Sequence, residues 1–113
     1  NVLVMGVTFK ENVSDIRNSK VADVVYALKE FSVNVDVVDP HASDEEVQKE
    51  YGFSIIGKPD KQYDAVIVAV AHEEYKKMDN KYFESISNGT PIVVDLKNLY
   101  SKDSMKDFIV WSL

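Results

Sequence analysis

Between positions 8 and 20 the chain carries Thr8, Phe9, Lys10, Glu11, Asn12, Ser14, Asp15, Arg17, Asn18, Ser19 and Lys20, a largely polar run with one aromatic ring in it. Arg17 is the only arginine, and the other twelve basic residues are lysines. A guanidinium presents a planar fork that suits phosphate or carboxylate, and lysine adds a compact point charge. Residues 1–20 carry a net charge of +1, against −7 for residues 21–113. The run leads into a helical pattern, and a helix N-terminus itself favours an anion. Anion binding is the chemistry these residues offer. The plainer alternative is a polar connection in which Arg17 pairs with Asp15 or Glu11.

Other residue types add less. His41 and His72 both follow apolar runs, but two isolated histidines without carboxylate ligand spacing do not make a metal site. His72, followed by Glu73 and Glu74, reads as the start of a helix. Asp39 ends an apolar run where a dinucleotide-binding domain places its ribose ligand; beside Pro40 it reads more simply as the start of a turn. The acidic run Asp44-Glu45-Glu46 is a solvated helix start, favoured by the helix dipole. Asp15 and Ser19 are expected to order the loop, Asp15 by accepting backbone N–H groups and Ser19 as a helix cap.

Composition removes several classes. The chain has 113 residues, a formal charge of −6 and no cysteine. One domain fits that length, and 45% apolar residues suffice for a core. The lack of cysteine excludes a disulfide scaffold, a thiolate zinc site and a thiol nucleophile within these residues. Net negative charge argues against nucleic acid. No apolar run approaches the roughly 20 residues of a membrane span. No secretory signal pattern opens the chain, so a cytoplasmic location is expected. The sequence begins at Asn1 and enters an apolar strand at once, which predicts a domain cut from a larger protein.

The elements that must position the loop follow from periodicity. Residues 2–7 are a short apolar run, as in a strand buried on both faces. Val21, Val24, Val25, Leu28 and Phe31 recur at helical spacing. Residues 33–38 form a second strand, ended by Asp39-Pro40. Ser43 with Glu46 resembles a capping box, and Gly52 stops the helix that follows it. Phe53-Ser54-Ile55 suggests a short edge strand, residues 64–71 a buried strand and residues 73–86 one helical stretch. Gly89-Thr90-Pro91 is a turn, residues 91–95 another buried strand and residues 108–110 a last one. The expected fold is a Rossmann-like three-layer α/β domain with a mainly parallel sheet of five to six strands and right-handed crossovers.

In such sheets ligands bind beyond the carboxyl ends of the strands. The connection after the first strand spans about ten residues where such connections usually take about 2–6. It lacks the G-x-G-x-x-G turn of dinucleotide-binding domains, since Gly6 is its only glycine.

The run from Gly6 to Lys20 resembles the opening of the C-terminal domain of the UDP-sugar 6-dehydrogenases, nearest to the branch acting on UDP-N-acetylhexosamines. Val37-Val38-Asp39-Pro40-His41-Ala42, Val68-Ala69-Val70-Ala71-His72, Val94-Asp95-Leu96-Lys97-Asn98 and Trp111-Ser112-Leu113 resemble the same domain in the same order, so the similarity spans essentially residues 1–113. These enzymes oxidise a sugar C6 alcohol twice, to the carboxylate, with two NAD. The resemblance implies a UDP-binding domain separated from an N-terminal NAD-binding domain and a central dimerisation region. It implies a homodimeric, cytoplasmic enzyme supplying uronic-acid sugars for surface polysaccharides. The family's catalytic Cys and Lys precede this domain, so these residues alone are expected to bind and not to catalyse.

By the same resemblance Phe9 and Lys10 match the pair that meets the UDP-sugar. Arg17 matches an arginine that reaches NAD on the N-terminal domain. Lys97 stands in an Asp-x-(Arg/Lys) motif that reaches the substrate, although a lysine there lacks the bidentate fork. On the residues alone, Phe9 reads equally as a core aromatic and Arg17 as a surface ion pair. Two other classes compete. A receiver-like regulatory module would want an acidic pair after the first strand, where Thr8-Phe9-Lys10 stand. A structural interaction domain would use the loop as a protein contact.

Overall fold

The computed structural model describes residues 1–97 and 99–100, and residues 109–112 by their backbone. The elements run β1 (Val2–Met5), α1 (Val21–Glu30), β2 (Val35–Val38), α2 (Asp44–Tyr51), β3 (Ala65–Val68), α3 (Glu73–Lys76), α4 (Asn80–Ser85), β4 (Ile92–Asp95) and β5 (Ile109–Ser112). The strands form a sheet of order β2-β1-β3-β4-β5 in which every pairing is parallel. Strand order reverses at β1: the chain leaves it for β2 on one side and returns with β3 on the other. A crevice therefore opens between the carboxyl ends of β1 and β3.

The apolar runs in β1 and β3 are continuous because both sheet faces are covered. Leu3 and Met5 pack on one face with Val66, Val68, Tyr75 of α3 and Phe83 of α4. Val4 points the other way, to a cluster with Ala22 and Val25 of α1, Val37 of β2 and Val47 of α2. This alternation is the period-two geometry of a strand, and it makes the three layers expected. Ser43 caps α2 by accepting the Glu46 N–H at 3.4 Å, and Gly52 ends that helix in the left-handed region at φ 80°. Both follow the local signals.

Five expectations need correction. Phe53-Ser54-Ile55 is not a strand. Asp44 Oδ1 accepts the Ile55 N–H at 2.8 Å, Phe53 turns into the core, and Ile56 alone bridges to Val38. Residues 73–86 are two helices, because Asp79 adopts an extended conformation and caps α4 by accepting the Tyr82 N–H at 3.1 Å. The second strand starts at Val35, since the turn after α1 takes up Val33 and Asn34. Phe31 does not join the apolar face of α1; it follows the helix and is 81% exposed. The last strand, expected over 108–110, begins at Ile109; Phe108 and Leu113 lie outside the described residues.

The turn out of β1 is set by Gly6. Its φ is 102°, and an added Cβ would lie 2.6 Å from Val70 Cβ and 2.8 Å from Val70 Cγ2. Any L side chain there meets both backbone strain and the chain leaving β3. Gly6→Ala is expected to lower folding stability by about 3 kcal/mol, combining a left-handed penalty with overpacking. Urea unfolding monitored by circular dichroism measures this loss.

Candidate functional site

The loop after β1 is held from below by one carboxylate. Asp39, immediately after β2, is buried, with its side chain fully enclosed. Its Oδ2 accepts the Val7 N–H at 2.7 Å and the Thr8 N–H at 3.2 Å. Its Oδ1 accepts the His41 N–H at 2.8 Å, and Nε2 of fully buried His72 lies 3.0 Å from Oδ2. Burial by itself would raise the Asp39 carboxyl. The hydrogen bonds from His72, Val7 and His41 overcome it and hold the group below the usual carboxylate range.

His72 carries the order into the loop. Its Nε2 also lies 3.1 Å from Thr8 Oγ1, and its Nδ1 accepts the Asn12 N–H at 2.9 Å. Asn12 Oδ1 in turn accepts the Glu73 N–H at 2.9 Å, at the start of α3. Within the loop, the Thr8 hydroxyl donates to the Lys10 carbonyl at 2.9 Å, and the Phe9 N–H donates to the Asp15 carbonyl at 2.7 Å. The far half is held separately. The Tyr51 hydroxyl donates to the Ile16 carbonyl and accepts the Ser19 N–H at 3.0 Å.

So fixed, the loop walls a cleft of about 350 Å³ beyond the ends of β1, β3 and β4. Phe9 and Lys10 from the β1 loop, Lys20 at the start of α1 and Lys97 after β4 converge on it. Val24, Ala69, Val70 and Leu96 supply apolar floor and wall. Phe9 is 56% exposed, so it is not a core aromatic. The turn that carries Lys97 is ordered by buried Asp95, which accepts the Leu99 N–H at 3.0 Å and the Tyr100 N–H at 2.9 Å. Three ammonium groups beside an open ring face are suited to a diphosphate attached to a planar base.

Arg17 lies elsewhere. It faces a separate depression with Lys49, Glu46 and Glu50. Its Nε and Nη2 donate to the two Asp15 oxygens at 3.0 and 3.2 Å, in the open ion pair that the plainer reading describes. Asp15 orders the loop as expected, by also accepting the Arg17 N–H at 3.0 Å. Ser19 does not cap α1: Lys20 holds the N-cap position, and the buried Ser19 hydroxyl has no hydrogen-bond partner among the described residues. Asp39 is not simply a turn former before Pro40, because it anchors two strand ends and a histidine at once. Nor is His72 only a helix start, although it does precede α3.

This arrangement does not fit a dinucleotide of its own. Gly6 is packed against Val70 where a glycine turn would admit a pyrophosphate, and the Asp39 carboxylate is committed to N–H groups and His72. Fold and cleft thus define a Rossmann-like α/β domain with a lysine-lined strand-end site in place of the dinucleotide turn. The chain belongs to the UDP-glucose/GDP-mannose dehydrogenase family, UDP binding domain, whose family model matches residues 3–102. It is 44% identical over 103 residues to a UDP-N-acetyl-D-glucosamine 6-dehydrogenase of Pseudomonas aeruginosa, covering 90% of this chain and 24% of that protein. It is 41% identical over 98 residues to the enzyme of the same name from Salmonella typhi, covering 86% and 23%. The chain therefore spans about a quarter of the length of the curated relatives it matches. In fold it is similar to an NDP-N-acetyl-D-galactosaminuronic acid dehydrogenase from Methanosarcina mazei Go1, with a TM-score of 0.86 over 99% of this chain and 24% of that one at 19% identity.

Sequence reasoning passed over the Asp39–His72 pair, Asn12 and Lys20 as parts of the site. A strand-terminal Asp before Pro and a His after an apolar strand each have ordinary local readings. Only their meeting across 33 positions reveals the anchor.

The Asp39 carboxyl is depressed in the fold, so its contribution to stability is complete above the unfolded value of about 3.9 and is lost as pH falls through the lower folded value. Asp39→Asn is expected to cost about 3 kcal/mol at pH 7, because buried N–H groups and His72 lose a charged acceptor. The variant should also lose part of the acid-side slope. Urea midpoints measured from pH 7 down to pH 2 in both proteins test both statements.

Proposed function

We propose that residues 1–113 form the UDP-sugar-binding C-terminal domain of an NAD-dependent UDP-N-acetylhexosamine (or UDP-glucose) 6-dehydrogenase. The observation that carries this reading is the convergence of Phe9, Lys10 and Lys97 on one cleft at the strand-order reversal, in a chain of this family. Lys10 and Lys97 neutralise the diphosphate, with Lys20 beside them, and Phe9 packs on a ring face of the ligand. Burial of the phosphates among lysines on a rigid frame supplies binding and orientation.

The oxidation belongs to the rest of the same polypeptide. An N-terminal domain holds NAD, and a central region brings the reactive Cys and pairs two subunits into a homodimer. Arg17, exposed and paired with Asp15 among the described residues, is free to exchange that partner for NAD phosphate when the N-terminal domain closes on the loop. Neither nucleic acid nor a membrane is a partner in this reading. The enzyme works in the cytoplasm, making uronic-acid sugar nucleotides for surface polysaccharides. This chain without those parts binds and does not turn over. The order of binding strengths among UDP-sugars is set mainly by groups outside it.

Titration calorimetry with UDP tests the reading. Lys10→Ala is expected to weaken UDP affinity about tenfold, the loss of one charge-assisted contact, and to leave the weaker binding of uridine nearly unchanged. Arg17→Ala should leave UDP affinity on this chain unaltered. Equal losses for UDP and uridine in Lys10→Ala, or UDP binding that ignores Lys10, would remove the diphosphate from this cleft.

A further inference from the structure

We infer that His72 is a positioning residue of the candidate ligand loop, its imidazole clamped as the Nε2–H tautomer between Asp39 and the backbone of Asn12. The inference rests on the reading that the cleft beside this loop takes UDP. Its geometry stands apart from that reading.

The proton directions follow from the partners. The Asn12 N–H donates to Nδ1 at 2.9 Å, so Nδ1 carries no hydrogen. Nε2 then carries it and faces Asp39 Oδ2 at 3.0 Å and Thr8 Oγ1 at 3.1 Å. The Thr8 hydroxyl donates its own hydrogen to the Lys10 carbonyl at 2.9 Å, which leaves its oxygen as the acceptor toward His72. A single directed chain thus runs from Asn12 through His72 to Thr8 and the backbone of Lys10. The ring has no room to turn: it is fully buried, with the His41 ring centroid 4.4 Å away on one side and that of Tyr75 at 5.4 Å on another.

What the clamp holds is one particular turn. Asn12 sits at φ 60°, a left-handed conformation that asparagine visits more readily than other side chains and that its partners must select. Its N–H to His72 and its Oδ1 from Glu73 do so. Released, the loop from Thr8 to Asn12 would relax and carry Phe9 and Lys10 away from Lys97 and Lys20. His72 does not line the cleft; it touches one lining residue, Thr8, from behind and acts through this loop.

The two ring nitrogens can be separated by substitution. In His72→Gln the side-chain amide nitrogen falls near the Nε2 position and still donates to Asp39, but no acceptor faces Asn12. In His72→Asn the amide oxygen falls near Nδ1 and still accepts from Asn12, but Asp39 loses its donor. The positioning role predicts that His72→Gln keeps a near-normal melting temperature, weakens UDP affinity about tenfold by calorimetry and speeds exchange of the Asn12 amide. It predicts that His72→Asn melts earlier yet binds UDP within about threefold of the parent chain.

UDP affinity that tracks melting temperature across both variants would reduce His72 to a structural residue and overturn the proposal. So would parent-like UDP binding in His72→Gln. Ring-nitrogen NMR shifts of the parent chain decide the tautomer directly: a protonated Nδ1 overturns the proposal whatever the variants do. If the parent chain binds no UDP, the functional reading falls alone. The tautomer and the Asn12 amide exchange in the two variants then decide the clamp without a ligand.

Discussion

A single buried carboxylate joins the parts of this domain that meet at its ligand end. Asp39 collects N–H groups from the chain leaving β1, from its own turn after β2 and from a histidine after β3. Those groups belong to three different strand ends, which parallel pairing brings side by side. A charge in such a place would be costly if unpaired. Here each oxygen has a donor, so the carboxylate instead orders every segment that supplies one. The candidate ligand loop, the turn to α2 and the start of α3 share this anchor.

The same end of the sheet shows how a Rossmann-like frame is turned from one ligand to another. A dinucleotide site needs glycine so that backbone can approach a pyrophosphate. Here the one glycine of the turn is filled on its open side by Val70, so the backbone approaches protein instead. The long loop beyond it reaches over the sheet and places Phe9 and Lys10 beside Lys97 from the turn after β4 and Lys20 at the N-cap of α1. Buried Asp95 orders the Lys97 turn by taking N–H groups from the residues after it, much as Asp39 serves its own turn. Two strand-end aspartates thus set two walls of one cleft, while the lysines that face the cleft remain free of ion pairs among the described residues.

What could be read along the chain was whatever short-range geometry decides. Ser43 three residues before Glu46, and Gly52 after Tyr51, act through bonds that close within one turn of helix, and both do so as their types predict. The continuous apolar runs of β1 and β3 announced strands covered on both faces. The errors lie where a side chain chose a partner that spacing does not reveal. Asp44 took the Ile55 N–H and dissolved an expected edge strand, and Asp79 cut one helical stretch into two. Ser19, a good cap by type, lies one position early because Lys20 holds the N-cap, and its backbone N–H goes to Tyr51.

The alternation of strands and helices up to α2, the lack of a glycine turn, the positive first twenty residues and the motifs of the family were present in the amino-acid sequence by itself, because they depend on residue type and on near neighbours. That Phe9 is open to solvent, that Arg17 turns away to Asp15 and that Lys20 joins the cleft were decided only by the tertiary structure. So was the meeting of Asp39 with His72. A carboxylate and an imidazole 33 positions apart become partners only when parallel strands set their ends level and packing removes the water that would otherwise satisfy each alone.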